Sequence, residues 1–127
     1  MKNNFIKLKF SRLESLSVVE KEKLLKKLRN KVDFFDRMLV RILNQRTKSA
    51  VMIGRIKTSL DQPTYNPERE RQVIGKINQN NQGPLTEEAI YRIYERVLDQ
   101  SRAIQNAESH KLIRNSDTPK SEDIKPV

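Results

Sequence analysis

At 127 residues, with a formal net charge of +10 and 33% charged side chains, the chain has the length of a single domain. The absence of cysteine removes disulfide frameworks and thiolate metal sites. No apolar run reaches the roughly 18 residues of a membrane helix or the roughly 7 to 15 of a signal-peptide core, which points to a soluble, cytoplasmic protein. Aromatics make up only 6%, so narrow helical stripes fit this composition better than the two-sided core of a sandwich or barrel.

The basic excess is spread along the chain. Residues 1–28 hold eight basic and three acidic side chains, residues 29–105 fourteen and nine, and residues 106–127 four of each. Phosphate binding favours clustered cations, and single-stranded nucleic acid also needs aromatic platforms between them. Neither pattern is present, which argues against nucleic acid as a partner.

The chain opens with MKNNFIKLKFSRLESL, a basic segment without a clear period. Residues 1–23 are therefore taken as a basic N-terminal extension and helix start, followed by a helical domain over 24–106. Ser17 and Glu20 have the spacing of a capping box, in which each side chain satisfies an orphan backbone N–H. The predicted first helix runs from about Val18 to about Leu60 with one interior glycine, Gly54, and no proline.

Its apolar stripe takes in Leu28, Val32, Phe35, Leu39 and Ile42 and resumes at Ile53 and Ile56. Arg46 and Ser49 fall where the stripe should continue. A guanidinium at such a position either snorkels to water or serves a buried anion. A helix of this length measures on the order of 60 Å, whereas a compact globule of this size has a radius of gyration of about 14 Å. Its own chain cannot wrap it, so the stripe is expected to be buried against a second copy.

The helix should end near Asp61-Gln62-Pro63, because proline disfavours helical geometry in the residue before it. Asn66 and Pro67 then restart one, as N-cap and first helical residue. The second helix, PERERQVIGKI, places Glu70, Val73, Ile74 and Ile77 on one side. A polar turn is predicted over residues 78–84. The third helix starts after Thr86 as N-cap, with Glu87 and Glu88 complementing its dipole. Its stripe is Ile90, Ile93, Tyr94, Val97 and Leu98, and helical spacing carries it on to Ser101 and to Ile104 or Gln105. Residues 107–127 lose periodicity and gain proline, and are predicted to form a flexible tail. The single histidine, His110, falls there and reads as a solvated side chain.

No Gly-rich phosphate loop, metal-ligand cluster or nucleophile with a base can be assembled from these residues. A catalyst built from them would work by positioning and electrostatics, with Arg, Lys, Glu, Ser and Gln as its groups.

Three stretches carry a resemblance: LRNKVDFFDRMLVRILNQRTKSAVMIGRIK, PTYNPERERQVI and NQGPLTEEAIYRIYERVLDQSRAIQ. They combine L-R-x-x-[IV]-D-x-x-D, N-x-R-x-x-x-A-x-x-[IV]-G-x-x-K, P-x-R-E and S-x-x-x-Q. In this order and spacing the chain resembles the all-helical class of chorismate mutase over about residues 24–106. The resemblance implies an all-α fold, a three-helix protomer with one very long first helix, in an intertwined homodimer. It implies conversion of chorismate to prephenate in phenylalanine and tyrosine biosynthesis, with no cofactor and no metal.

Chorismate is a dianion that rearranges within itself, so its site must hold two carboxylates and supply donors to the ether oxygen as charge develops there. By matching motif positions, Arg29, Arg46 and Arg69 would contact the carboxylates, with Ser101 assisting. Lys57 and Gln105 would donate to the ether oxygen, and Glu70 would accept from the ring hydroxyl with Asn66 beside it. Many relatives carry aspartate where this chain has Asn66, which makes the expected pocket more cationic and puts substrate contact by Asn66 in doubt.

Arg46 and Lys57, eleven residues apart, differ by about 20° around a helix and roughly 16 Å along it, so their side chains can converge on one ligand. Arg29 lies seventeen residues before Arg46, about 25 Å away on the same rod, so it would have to come from the partner protomer.

By residue type alone, other readings stand beside these. Arg29 can be a solvated or ion-paired arginine, Arg69 and Glu70 first-turn charges, and Ser101 and Gln105 hydrogen-bonded core polars. An isochorismate-pyruvate lyase shares this scaffold, although P-x-R-E with Glu70 favours the mutase. A non-catalytic regulatory or partner-binding helical module is the other alternative. Some chorismate mutases work in complex with the first enzyme of the shikimate pathway, and the basic lead or the tail could serve such docking.

Overall fold

A computed structural model describes residues 12–117, and the ordered elements among them are three helices. We label them α1 (Val18–Ser59), α2 (Pro67–Asn80) and α3 (Glu87–Asp117). The fold is all-helical, with no strand among the described residues. No helix among them is long and apolar enough to cross a membrane. Residues 1–11, the first half of the basic extension, and residues 118–127, the last part of the predicted tail, lie outside the described residues.

The start of α1 follows from the Ser17/Glu20 pair. The Glu20 N–H donates to Ser17 Oγ at 3.2 Å, and the Ser17 N–H donates to Glu20 Oε2 at 2.8 Å, closing the capping box.

The end of α1 is set by a device the sequence hides. The Asp61 N–H donates to the Thr58 carbonyl at 3.2 Å and the Gln62 N–H to the Lys57 carbonyl at 2.8 Å, the two bonds of a Schellman turn. Asp61 occupies the left-handed position with φ 53°, where glycine is the usual residue. Pro63 then prevents resumption of the helix.

Asn66 caps α2 through its Oδ1, which accepts from the Arg69 N–H at 3.1 Å, and Pro67 takes the first helical position. The helix continues to Asn80, three residues past Ile77 and into the predicted turn. There Asn80 Nδ2 donates to the Lys76 carbonyl at 3.1 Å, so a side chain covers one of the terminal acceptors. Thr86 caps α3, its Oγ1 accepting from the Ala89 N–H at 3.1 Å.

α3 runs unbroken through residues 107–117, the first part of the predicted tail, to Asp117. The segment AESHKLIRNSD contains neither glycine nor proline, so nothing in its backbone stops a helix already propagating. An Arg55–Glu108 ion pair at 3.3 Å also ties its first turn to α1.

α3 packs against both α1 and α2. This small contact region buries Leu98, Ser101 and Gly54, and Leu98 is the one large apolar side chain buried among the described residues. The α1 stripe stays open. Val32, Phe35 and Leu39 are each 55% exposed, and Ile42, Ile53 and Ile56 lie between 52% and 58%.

Candidate active site

Where the three helices meet, an open cleft of about 400 Å³ lies between the C-terminal half of α1, the start of α2 and the middle of α3. α1 contributes Arg46 and Lys57 to its wall. The capped start of α2 adds Asn66, Arg69 and Glu70, and α3 adds Ser101 and Gln105. Seven of the eight residues expected from the sequence therefore meet in one cleft. The eighth, Arg29, is not among its lining residues.

Contacts between helices hold several of these groups in place. Arg46 Nη1 donates to Ser101 Oγ at 2.9 Å, so the cation that breaks the α1 stripe is bound to the polar residue that breaks the α3 stripe. Ser101 is 8% exposed, and its hydroxyl can still donate onward after accepting from Arg46.

Gln105 is placed by backbone. Its Nε2 donates to the Ala50 carbonyl at 2.6 Å, which engages part of its donor capacity and orients the amide. Gly54 is buried beside it, and a Cβ there would meet Gln105 Cγ at 3.5 Å and Thr64 Cγ2 at 3.6 Å, ordinary van der Waals contact. The Oδ1 of Asn66 is committed to its cap, which leaves the Nδ2 amide for any ligand.

Two cleft residues escape the sequence argument. Arg102 reads in one dimension as a surface charge paired with Asp99 one turn earlier, and Tyr65 as a loop aromatic. In the fold, Arg102 Nη1 donates to Glu70 Oε2 at 3.2 Å, and Nη2 bonds Asp99 Oδ1. The guanidinium carbon stands 4.9 Å from the centre of the Tyr65 ring, a cation–π contact. Burial lowers the pKa of Arg102, but the charges of Glu70 and Asp99 and the Asp99 hydrogen bond raise it further, leaving it above the usual arginine value. The one signal in the sequence is adjacency: Arg102 follows Ser101 and so lies about 100° from it around the helix.

Four cations (Arg46, Lys57, Arg69 and Arg102) and one carboxylate (Glu70) line the cleft. Glu70 and Arg102 offset each other, so the remaining excess suits a ligand with two or more negative charges. The frame is all-helical, and the charge of its cleft is complementary to a small polyanion.

The sequence profile of the family described as chorismate mutase type II matches residues 28–106. The chain belongs to this family. A solved structure of chorismate mutase from Thermus thermophilus, form II, is 29% identical and superposes with a TM-score of 0.63, over 65% of this chain and 93% of that one. Form I of the same protein is 31% identical, with a TM-score of 0.60, over 61% of this chain and 96% of that one.

Among curated relatives, the bifunctional chorismate mutase/prephenate dehydratase of Aquifex aeolicus is 38% identical over 78 residues, 58% of this chain and 22% of its own length. The corresponding bifunctional protein of Neisseria gonorrhoeae is 35% identical over 77 residues, 61% of this chain and 21% of its own length. The matched region thus spans about a fifth of these two relatives.

Proposed function

We propose that the protein converts chorismate to prephenate, the rearrangement that leads towards phenylalanine and tyrosine, and that it does so in the cytoplasm. The observation that carries this reading is the convergence of Arg46, Lys57, Arg69, Glu70, Ser101 and Gln105 on one cleft. Membership of the chorismate mutase type II family supports it.

The reaction breaks an ether C–O bond and forms a C–C bond within one molecule, with no proton transferred to or from the protein. The work lies in holding the enolpyruvyl arm over the ring and in stabilising the charge that develops on the ether oxygen. Arg46 and Arg69 grip the carboxylates, and Ser101, bound to Arg46, orients that guanidinium. Lys57 and the second amide hydrogen of Gln105 donate to the ether oxygen. Glu70 Oε1 accepts from the ring hydroxyl, while Arg102 occupies Oε2.

A millionfold acceleration needs about 8 kcal/mol. Charge-assisted bonds worth roughly 1.5–3 kcal/mol each reach that sum where they strengthen in the transition state.

The working form is a homodimer. The exposed α1 stripe supplies the apolar face for a second copy, and Arg29 of the partner protomer reaches the cleft that it cannot reach from its own rod. The test is an absorbance assay of chorismate loss with prephenate identified as product. No consumption of chorismate by the folded dimer would reject the reading. Release of salicylate and pyruvate from isochorismate, without prephenate formation from chorismate, would assign the lyase instead.

A further inference from the structure

Arg102 lines the cleft but has no task in the rearrangement as derived above. Both ends of its guanidinium fork and the face of the group are occupied, by Glu70, Asp99 and Tyr65. We infer that Arg102 is a positioning residue, which fixes the Glu70 carboxylate in the cleft wall and clamps the loop entering α2. The inference rests on the mutase reading of the same site.

The geometry supports it in three steps. Asp99, one turn earlier on α3, binds the guanidinium from its own helix and so selects a rotamer before any contact with α2. Held this way, Nη1 reaches Glu70 Oε2 at 3.2 Å, where the glutamate side chain is 20% exposed. A glutamate has three side-chain torsions, and bonding one oxygen to a fixed donor leaves the other aimed instead of sweeping the cleft. Lastly, Tyr65 immediately precedes the N-cap Asn66, so the cation–π contact ties α3 to the residue that sets where α2 begins. The first turn of α2 carries Arg69 and Glu70, so one arginine registers two cleft residues against Ser101 on its own helix.

The chemistry also indicates where the loss of Arg102 would be felt. Glu70 addresses the ring hydroxyl, whereas carboxylate affinity rests with the other cations. Misplacing Glu70 therefore disturbs the alignment of the reacting groups more than it disturbs capture of the substrate.

The experiment is a double-mutant cycle in chorismate turnover on the full-length chain, using wild type, Arg102→Met, Glu70→Ala and the double variant. Methionine keeps an unbranched stem and removes the fork. Arg102→Met should lower kcat/KM about 10- to 100-fold, with kcat falling more than KM rises. In the Glu70→Ala background the same change should cost at least about threefold less, since Glu70 is gone and only the registration of Arg69 through Tyr65 is left to lose. Arg102→Lys, with the charge but not the bidentate fork, should fall between wild type and Arg102→Met. Tyr65→Phe, which keeps the ring face, should retain activity that Tyr65→Leu loses.

A purely structural role would lower activity by the same factor in both backgrounds, and that result overturns the inference. Wild-type kinetics in Arg102→Met overturn it too. If Arg102→Met does not fold, the Lys and Tyr65 variants decide: equal activity of Tyr65→Phe and Tyr65→Leu together with wild-type activity of Arg102→Lys rejects it. An inactive wild type shows itself in the first measurement, and removes the mutase reading and this inference together.

Discussion

Arg46 on α1 and Ser101 on α3, fifty-five positions apart in the chain, share a hydrogen bond of 2.9 Å. Each interrupts the apolar stripe of its own helix, and each supplies the other's polar partner. The bond gives a buried hydroxyl its donor and holds a long cationic side chain at the cleft wall without occupying the remaining donors of the guanidinium.

The pair should be coupled in catalysis. Ser101→Ala is expected to lower kcat/KM about tenfold, and Arg46→Ala by about 100-fold or more, the range for losing one or two charge-assisted bonds. Arg46→Lys should not rescue, because a single ammonium cannot serve Ser101 and a carboxylate with the geometry of a fork. Steady-state kinetics on the three variants check this, and full activity of Arg46→Lys would contradict it.

Arg29 permits a test of site sharing between protomers. Arg29→Ala and Arg46→Ala homodimers should each be nearly inactive. In a mixed dimer the two lesions fall in the same site and the other site is intact, so random exchange of subunits should restore about a quarter of wild-type activity. No recovery, with mixed dimers demonstrated by mass, would show that Arg29 is not supplied by the partner protomer.

The α1 stripe should decide assembly. Leu39→Glu places a charge on a face that is 55% exposed in the lone protomer, and is expected to yield monomers without turnover. Sedimentation velocity at micromolar concentration would show it, and a wild-type chain sedimenting as a monomer would refute the dimer.

Gln105 donates to the Ala50 carbonyl as a neutral amide, so wild-type turnover should vary little between about pH 5 and 8. Gln105→Glu should reverse that. A glutamate donates only when protonated, so activity should be low near neutrality and rise as pH falls towards the carboxyl pKa, about 4.3 unperturbed and higher beside a carbonyl oxygen. A flat pH–rate profile for Gln105→Glu would show that this side chain donates nothing essential.

Asp61, with φ 53° at the Schellman turn, offers a test away from the chemistry. Asp61→Gly should stabilise the fold by about 0.5–1 kcal/mol, because glycine occupies the left-handed region without the Cβ penalty. Thermal unfolding should shift up by a few degrees with activity unchanged, and a lower midpoint would refute the assignment of that turn.

Much of this was legible in the chain because its signals are local. Ser17 with Glu20, Asn66 with Pro67, and Thr86 each set a helix start through groups within four residues, so spacing alone reveals them. Arg46 betrayed the cleft because a strong 3.6-residue period makes one misplaced cation visible. The remaining site residues came from the motifs that carry the family resemblance, not from periodicity.

The rest was decided by tertiary structure. α3 outlasts its apolar period, and the ion pair between Glu108 and Arg55 of α1 ties the turn beyond it to the fold. Asp61 took the position normally held by glycine because Pro63 and the capping bonds closed the turn around it. The Ala50 carbonyl orients Gln105 only once α3 lies against α1, across fifty-five positions of the chain. Arg102 meets Glu70 across thirty-two positions and Tyr65 across thirty-seven, contacts that exist only once α3 lies against the start of α2. Periodicity and caps are properties of one helix and can be counted along it. A guanidinium choosing between its own helix and a neighbouring one depends on how the helices pack.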